Sequence, residues 1–184
     1  LIDKYYVSYW TALHYWGMTE QILRTIYVVT TKIKKDIEFF GEKIQFVTVV
    51  PKKFYGYTTE KIDDDYFTIA TREKTIIDCL DRPAYCGGVA ELFKGLWTAR
   101  DQINFDDLII ATEKFNASSV QRRLGYLLEK SGLLRRDEYK KLKGNFKGFR
   151  WLDPSADKKI LSYNHNWKLK VNISEESLFD RRIH

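Results

Sequence analysis

The stretch Thr71 to Gly88, TREKTIIDCLDRPAYCGG, constrains the fold more than any other. Thr71 is placed to cap a helix by accepting a bond from a free N–H of the first turn. Glu73 brings a negative charge to the positive end of the helix dipole. Ile76, Ile77 and Leu80 fall on one face at helical spacing. Arg82-Pro83 stops that helix, because the residue before a proline is pushed out of the α region. Gly87-Gly88 then permits a tight turn, and a second apolar helix begins at once. The expected arrangement is a strand, a helix, a sharp corner and another helix. This is a core-forming hub, and it holds no complete catalytic set.

The rest of the chain alternates strand-like and helix-like runs. Ser8 is expected to cap a short aromatic helix ending at Gly17, with Tyr9, Ala12, Leu13 and Trp16 inward. His14 in that helix reads as a structural hydrogen-bonder. Thr25 to Lys32 is β-branched and predicts a strand; Lys32 to Lys35 is either a solvated connection or a phosphate contact. Ile37 to Val50 predicts a hairpin turning at Gly41-Glu42, its second arm apolar on both faces and so central in a sheet. Lys52, Lys53, Phe54, Tyr55 and Tyr57 could form a basic and aromatic edge. Asp63-Asp64-Asp65 is an acidic turn before a strand over Tyr66 to Ala70. Three further helices are expected. One bears Val89, Leu92, Phe93 and Leu96, one is capped by Asn104, and one runs from a Ser118 cap to Gly132. Gly125 inside the last costs about 1 kcal/mol relative to Ala, which close helix packing would explain. Trp167, Leu169, Val171 and Ile173 alternate with polar residues as a half-buried strand, and the last ten residues read as loose.

Charge is the second constraint. Arg135 to Lys170 holds eleven Lys and Arg against four Asp and Glu, so the whole positive excess of the chain lies there. Lys140, Lys141, Lys143, Lys147 and Arg150 interleave with Tyr139, Phe146, Phe149 and Trp151, while Lys168 and Lys170 sit on one face of the late strand. Arg122 and Arg123, off the apolar face of their helix, are exposed or paired. These nine basic residues are the candidate nucleic-acid contacts, since cations bind phosphates and aromatics stack on bases. A solvated surface or a protein-binding face uses the same residues, and Lys168 and Lys170 also suit an edge strand that discourages unwanted pairing.

Several function classes lack their residues. Cys79 and Cys86 with His14, His165 and His184 do not supply a zinc set. Cys79 reads as a small core residue, its thiol reduced. There is no phosphate-binding glycine loop, GxSxG, HExxH or CxxC. The contiguous aspartates diverge, against a two-metal nuclease. No catalytic residue, metal or cofactor is expected. No apolar run is long enough to span a bilayer and no signal peptide is visible at the start, so a cytoplasmic protein is expected.

The hub also resembles the AbiEi family of antitoxins, regulators from type IV toxin–antitoxin pairs of bacteria and archaea. Tyr6 to Gln21, YVSYWTALHYWGMTEQ, and Gln121 to Glu129, QRRLGYLLE, agree with it in order and approximate spacing, so the resemblance covers roughly Tyr5 to Leu134. It implies the C-terminal, antitoxin half of a transcriptional regulator. That half counteracts a nucleotidyltransferase-like toxin without forming a stable complex, and it assists DNA binding. Operator reading would belong to an N-terminal winged helix lying ahead of Leu1. The alternative is a general nucleic-acid-binding domain using the basic aromatic segment after Arg135. The expected fold is α+β: a small mixed or antiparallel sheet packed with several helices. One domain over residues 1–184 includes a basic, strand-containing C-terminal segment, 135–184.

Overall fold

A computed structural model describes residues 4–179. Its chain is an α+β fold with two sheets. The larger holds β1 (Tyr6–Val7), β2 (Thr25–Thr30), β3 (Ile37–Phe39), β4 (Glu42–Thr48), β5 (Tyr57–Ile62) and β6 (Asp65–Ala70), in the order β3-β4-β2-β1-β6-β5. It is mixed: β2 runs parallel to β4 and β1 to β6, while β1–β2, β3–β4 and β5–β6 are antiparallel. The smaller sheet, β7 (Arg150–Trp151), β8 (Ser162–Asn164) and β9 (Leu169–Val171), has the order β7-β9-β8. Helices α1 (Tyr9–Tyr15), α2 (Arg72–Asp81), α3 (Val89–Thr98), α4 (Phe105–Phe115), α5 (Ser118–Ser131), α6 (Arg136–Leu142) and α7 (Glu175–Phe179) complete the described fold. Among the described residues no helix is long and apolar enough to cross a membrane.

The hub takes the expected place. Helix α2 packs against α1, α3, α4, α5 and β6. Its seven residues from Lys74 to Leu80 are all buried. The Thr71 hydroxyl accepts the Lys74 N–H at 3.2 Å, and Pro83 opens a single tight turn before the left-handed Gly87. Asn104 caps α4 by accepting from the Asp107 N–H at 3.2 Å. Gly132 ends α5 in the left-handed region, with the Leu133 N–H reaching back to the Leu128 carbonyl.

Inside α2 lies an ion pair of unusual depth. Lys74 and Asp78, one turn apart, are 1% and 2% exposed. The Lys74 ammonium donates to an Asp78 carboxylate oxygen and, at 2.9 Å, to the Tyr6 hydroxyl. The other carboxylate oxygen accepts from Ser8 Oγ at 2.8 Å and Tyr6 Oη at 3.2 Å. The Tyr6, Tyr55 and Phe115 rings each lie 5.2 Å from the ammonium. Burial pushes the Asp78 carboxyl up and the Lys74 amine down, and each partner's charge pulls the other back.

Five expectations need correction. Ser8 spends its hydroxyl on Asp78 and makes no side-chain cap. Ser118 is the first helical residue of α5, whose cap position is Ala117. Of the expected basic and aromatic edge, only Tyr57 lies on a sheet edge: it opens β5, the outer strand, which pairs with β6 through a two-residue turn at Asp63-Asp64, with Asp63 at φ 53°. In the same stretch Lys53 pairs with Asp81 at 2.9 Å while Phe54 and Tyr55 pack on the core. The strand expected over Trp167 to Ser174 shrinks to β9, because Lys168 at φ 52° closes a four-residue hairpin loop. The expected loose tail is helical over α7, with Leu178 buried and Phe179 edge-on to Phe93; residues 180–184 lie outside the described residues.

Candidate nucleic-acid interface

The basic segment folds as one body on α5, and buried polar groups hold it there. Arg122 donates to the carbonyls of Lys147 (3.1 Å), Gly148 (2.7 Å) and Lys168 (3.1 Å), and its guanidinium lies 4.6 Å from the Phe146 ring centroid. Arg123 donates to the Leu80 carbonyl at 2.6 Å and to the Trp151 carbonyl at 3.2 and 3.3 Å. Both were expected among the nucleic-acid contacts. They are 2% and 5% exposed, and their terminal nitrogens are directed to backbone carbonyls, so neither presents a surface to a phosphate. A rigid fork of donors is the group best suited to satisfy several converging carbonyls. Burial lowers the Arg123 pKa to about 10, which leaves it cationic at neutral pH.

Two further anchors complete the attachment. Trp167, fully buried at the β8–β9 loop, donates its indole N–H to Glu129 Oε2 at 2.8 Å and lies on Gly125. The close packing expected at Gly125 is therefore with a tryptophan from the small sheet and not with another helix. Asp153, just past β7, accepts the Val89 N–H at 2.7 Å and so caps α3 from sixty-four residues away.

What this body turns outward is a sheet face of alternating rings and ammonium groups. Register puts Trp151 of β7 and Tyr163 of β8 on either side of Lys170 of β9. The Lys170 ammonium lies 5.1 Å from the Trp151 ring, and Lys158 approaches the same ring at 5.4 Å. Lys168 lies 5.4 Å from the Phe149 ring. Phe149 in turn meets Tyr163 and His165 edge to face, with centroids 5.1 and 5.5 Å apart. Phe149, Trp151 and Tyr163 belong neither to the core nor to the half-buried shell packed against it. The Trp151 and Phe149 rings are half-buried, and an ammonium over such a ring contributes about 0.5–2 kcal/mol, no more than the about 1–3 kcal/mol of a base stacked on an aromatic. A base can therefore compete with Lys168 and Lys170 for the rings, while Lys158 also donates to the Pro154 carbonyl and, at 3.2 Å, to the Ala156 carbonyl.

The nine expected contacts thus separate. Lys168 and Lys170 share the ring-bearing face. Lys140 and Lys141 stand exposed on α6. Lys143 is partly spent on Asn166, donating to its carbonyl and, at 2.6 Å, to its side-chain oxygen. Lys147 is exposed, and Arg150, exposed too, alternates to the opposite side of β7 from Trp151. Sequence reasoning missed Lys158, Tyr163 and His165. The signal for the last two was their spacing of two residues ahead of the β9 alternation, the first arm of a hairpin.

Groups suited to chemistry are paired off elsewhere. Asp78 is enclosed by its own partners. The cleft of about 340 Å³ beside β8 holds one acid and one base, Glu175 and Lys130, and these bond each other at 2.5 Å. Among the described residues no group of three His, Cys, Asp or Glu could hold a metal ion. Cys79 and Cys86 are both free and buried.

No protein-family model matches the chain, and no curated protein matches it.

Proposed function

We propose that this chain is a non-enzymatic, nucleic-acid-contacting domain of a transcriptional regulator. By the resemblance of residues 5–134, the regulator is of the type IV antitoxin kind. The observation that carries the reading is the outer face of the small sheet, where Lys158, Lys168 and Lys170 stand among Phe149, Trp151 and Tyr163. Cations supply affinity for any phosphate backbone, and the segment that bears them carries the entire positive excess of the chain. Lys140 and Lys141 add exposed charge on α6 within the same segment. DNA is the expected partner, with sequence reading left to a separate winged helix.

The test is binding of the full chain to duplex and single-stranded DNA at low and physiological salt, against a K158Q/K168Q/K170Q variant. Wild type should bind with steep salt dependence. The variant should lose affinity, and its log–log salt slope should fall by about 2–3, roughly 0.9 per phosphate contact removed. No binding by wild type at low salt overturns the reading. Co-expression with a nucleotidyltransferase encoded beside this gene separates the two forms of the proposal. Rescue of growth supports an antitoxin domain; toxicity unrelieved, with nucleic-acid binding intact, leaves a general nucleic-acid-binding domain.

A further inference from the structure

We infer that the outer face of the small sheet takes a single strand, stacking bases on Trp151, Phe149 and Tyr163 while Lys168 and Lys170 hold the phosphates. The inference rests on the reading above and narrows it to a strand state.

A surface that only grips a duplex backbone needs cations and nothing else, since a duplex turns its phosphates outward and hides its base faces. This face spends three large rings outside the core, Tyr163 48% exposed and Trp151 and Phe149 half-buried. Rings kept at the surface, off the core and among lysines, suit a ligand that presents π-faces together with negative charge. A single strand is that ligand.

The register adds a geometric constraint. Trp151 and Tyr163 sit two strand spacings apart across Lys170, roughly 9–10 Å. Bases on those two rings are too far apart to stack on each other, so the strand must lie splayed across the sheet. The Lys168 and Lys170 ammonium groups, now over rings, move to neighbouring phosphates as a base arrives, while Lys158 stays on the Pro154 and Ala156 carbonyls at the border of the face. Cation and ring thus serve one nucleotide together. His165, edge-on to Phe149, borders the face on its loop side.

Fluorescence anisotropy of the full chain with a short labelled pyrimidine oligonucleotide, as DNA and as RNA, against its blunt duplex, tests this. The single strand should bind more tightly than the duplex. Trp151→Ala and Tyr163→Ala should each weaken single-strand binding about tenfold or more, with duplex binding unchanged. Trp151→Phe, which keeps a ring, should retain most of the affinity. It also guards against misfolding as the cause of a loss. A preference for duplex, or alanine variants that bind the single strand like wild type, overturns the inference. If the lysine variant still weakens duplex binding in that case, the broader proposal survives. If wild type binds neither form, both fall. Comparing the DNA and RNA arms reports which sugar the face accepts.

Discussion

The Trp167 indole occupies the space that any side chain on Gly125 would need: a Cβ at that position would come within 2.2 Å of two ring carbons. One turn on, Glu129 accepts the indole N–H, so α5 offers Trp167 both a flat seat and a polar partner. Gly125→Ala would gain about 1 kcal/mol on an open helix. Here it should destabilise by about 1–3 kcal/mol or more through overpacking. In a Trp167→Ala background, itself costing about 3–5 kcal/mol, the same substitution should turn neutral or stabilising. Urea unfolding of the four proteins checks this, and an equal penalty in both backgrounds refutes it.

Asp153 ties the small sheet to the first turn of α3. Gly88 supplies the opening, at φ 94°, where a Cβ would lie 2.7 Å from the Asp153 carboxylate. Asp153→Ala should cost about 1–2 kcal/mol for the lost cap. Amide exchange in the first turn of α3 should quicken more than in α5. Asp153→Asn, which keeps one acceptor, should fall between the two. Uniform acceleration across the chain would mean that the carboxylate is not acting as a local cap.

The Lys74–Asp78 pair makes a different prediction. Removing one partner strands the other in the core, so Asp78→Ala should cost about 3–5 kcal/mol. Lys74→Met with Asp78→Leu removes both charges together and should cost clearly less than the sum of the singles. The remainder is about 1–3 kcal/mol for each hydroxyl, Ser8 and Tyr6, left without its acceptor. A double-mutant cycle from thermal or urea unfolding measures the coupling, and additivity would sink the idea.

Asp36 and Lys43 brace the β3–β4 hairpin at 2.8 Å, and Asp36 also accepts the Phe46 N–H. The Lys43 hydrogen bond holds the Asp36 carboxyl below its ordinary range, and Asp36 holds the Lys43 ammonium above its own. A lowered acid stabilises above its unfolded pKa and fades as pH falls through its folded one. A raised lysine stabilises below its unfolded pKa and fades as pH rises through its folded one. The brace is therefore fully present between about pH 4 and pH 10. The Phe46 amide resonance should report its loss below that window, and Asp36→Asn should flatten the profile.

Legibility in the sequence followed locality. The caps at Thr71 and Asn104 and the Gly132 stop depend on residues within one turn, and the strands β2, β3 and β4 on runs of β-formers, so pattern alone located them. Helix α6 was missed because its seven residues, five of them charged, carry little periodicity; it forms where Glu138 accepts the Arg135 N–H and Tyr139 packs on Trp167. Strand β5, mostly polar, needed β6 beside it to be recognised. Of the candidate interface, Lys168 and Lys170 were legible from alternation, while Tyr163, His165 and Lys158 join them only through the β8–β9 hairpin and the loop before it.

By itself the sequence determined the order of helices α1 to α5, the α2–α3 corner and the concentration of positive charge after Arg135, because each is a property of neighbouring residues. Only the tertiary structure decided which charges reach water. Arg122 and Arg123 look as solvated as any lysine on a helical wheel, yet backbone carbonyls from 25 to 46 residues away draw them inward. A buried cation needs partners, and those partners are set by the fold and not by the helix that carries the cation.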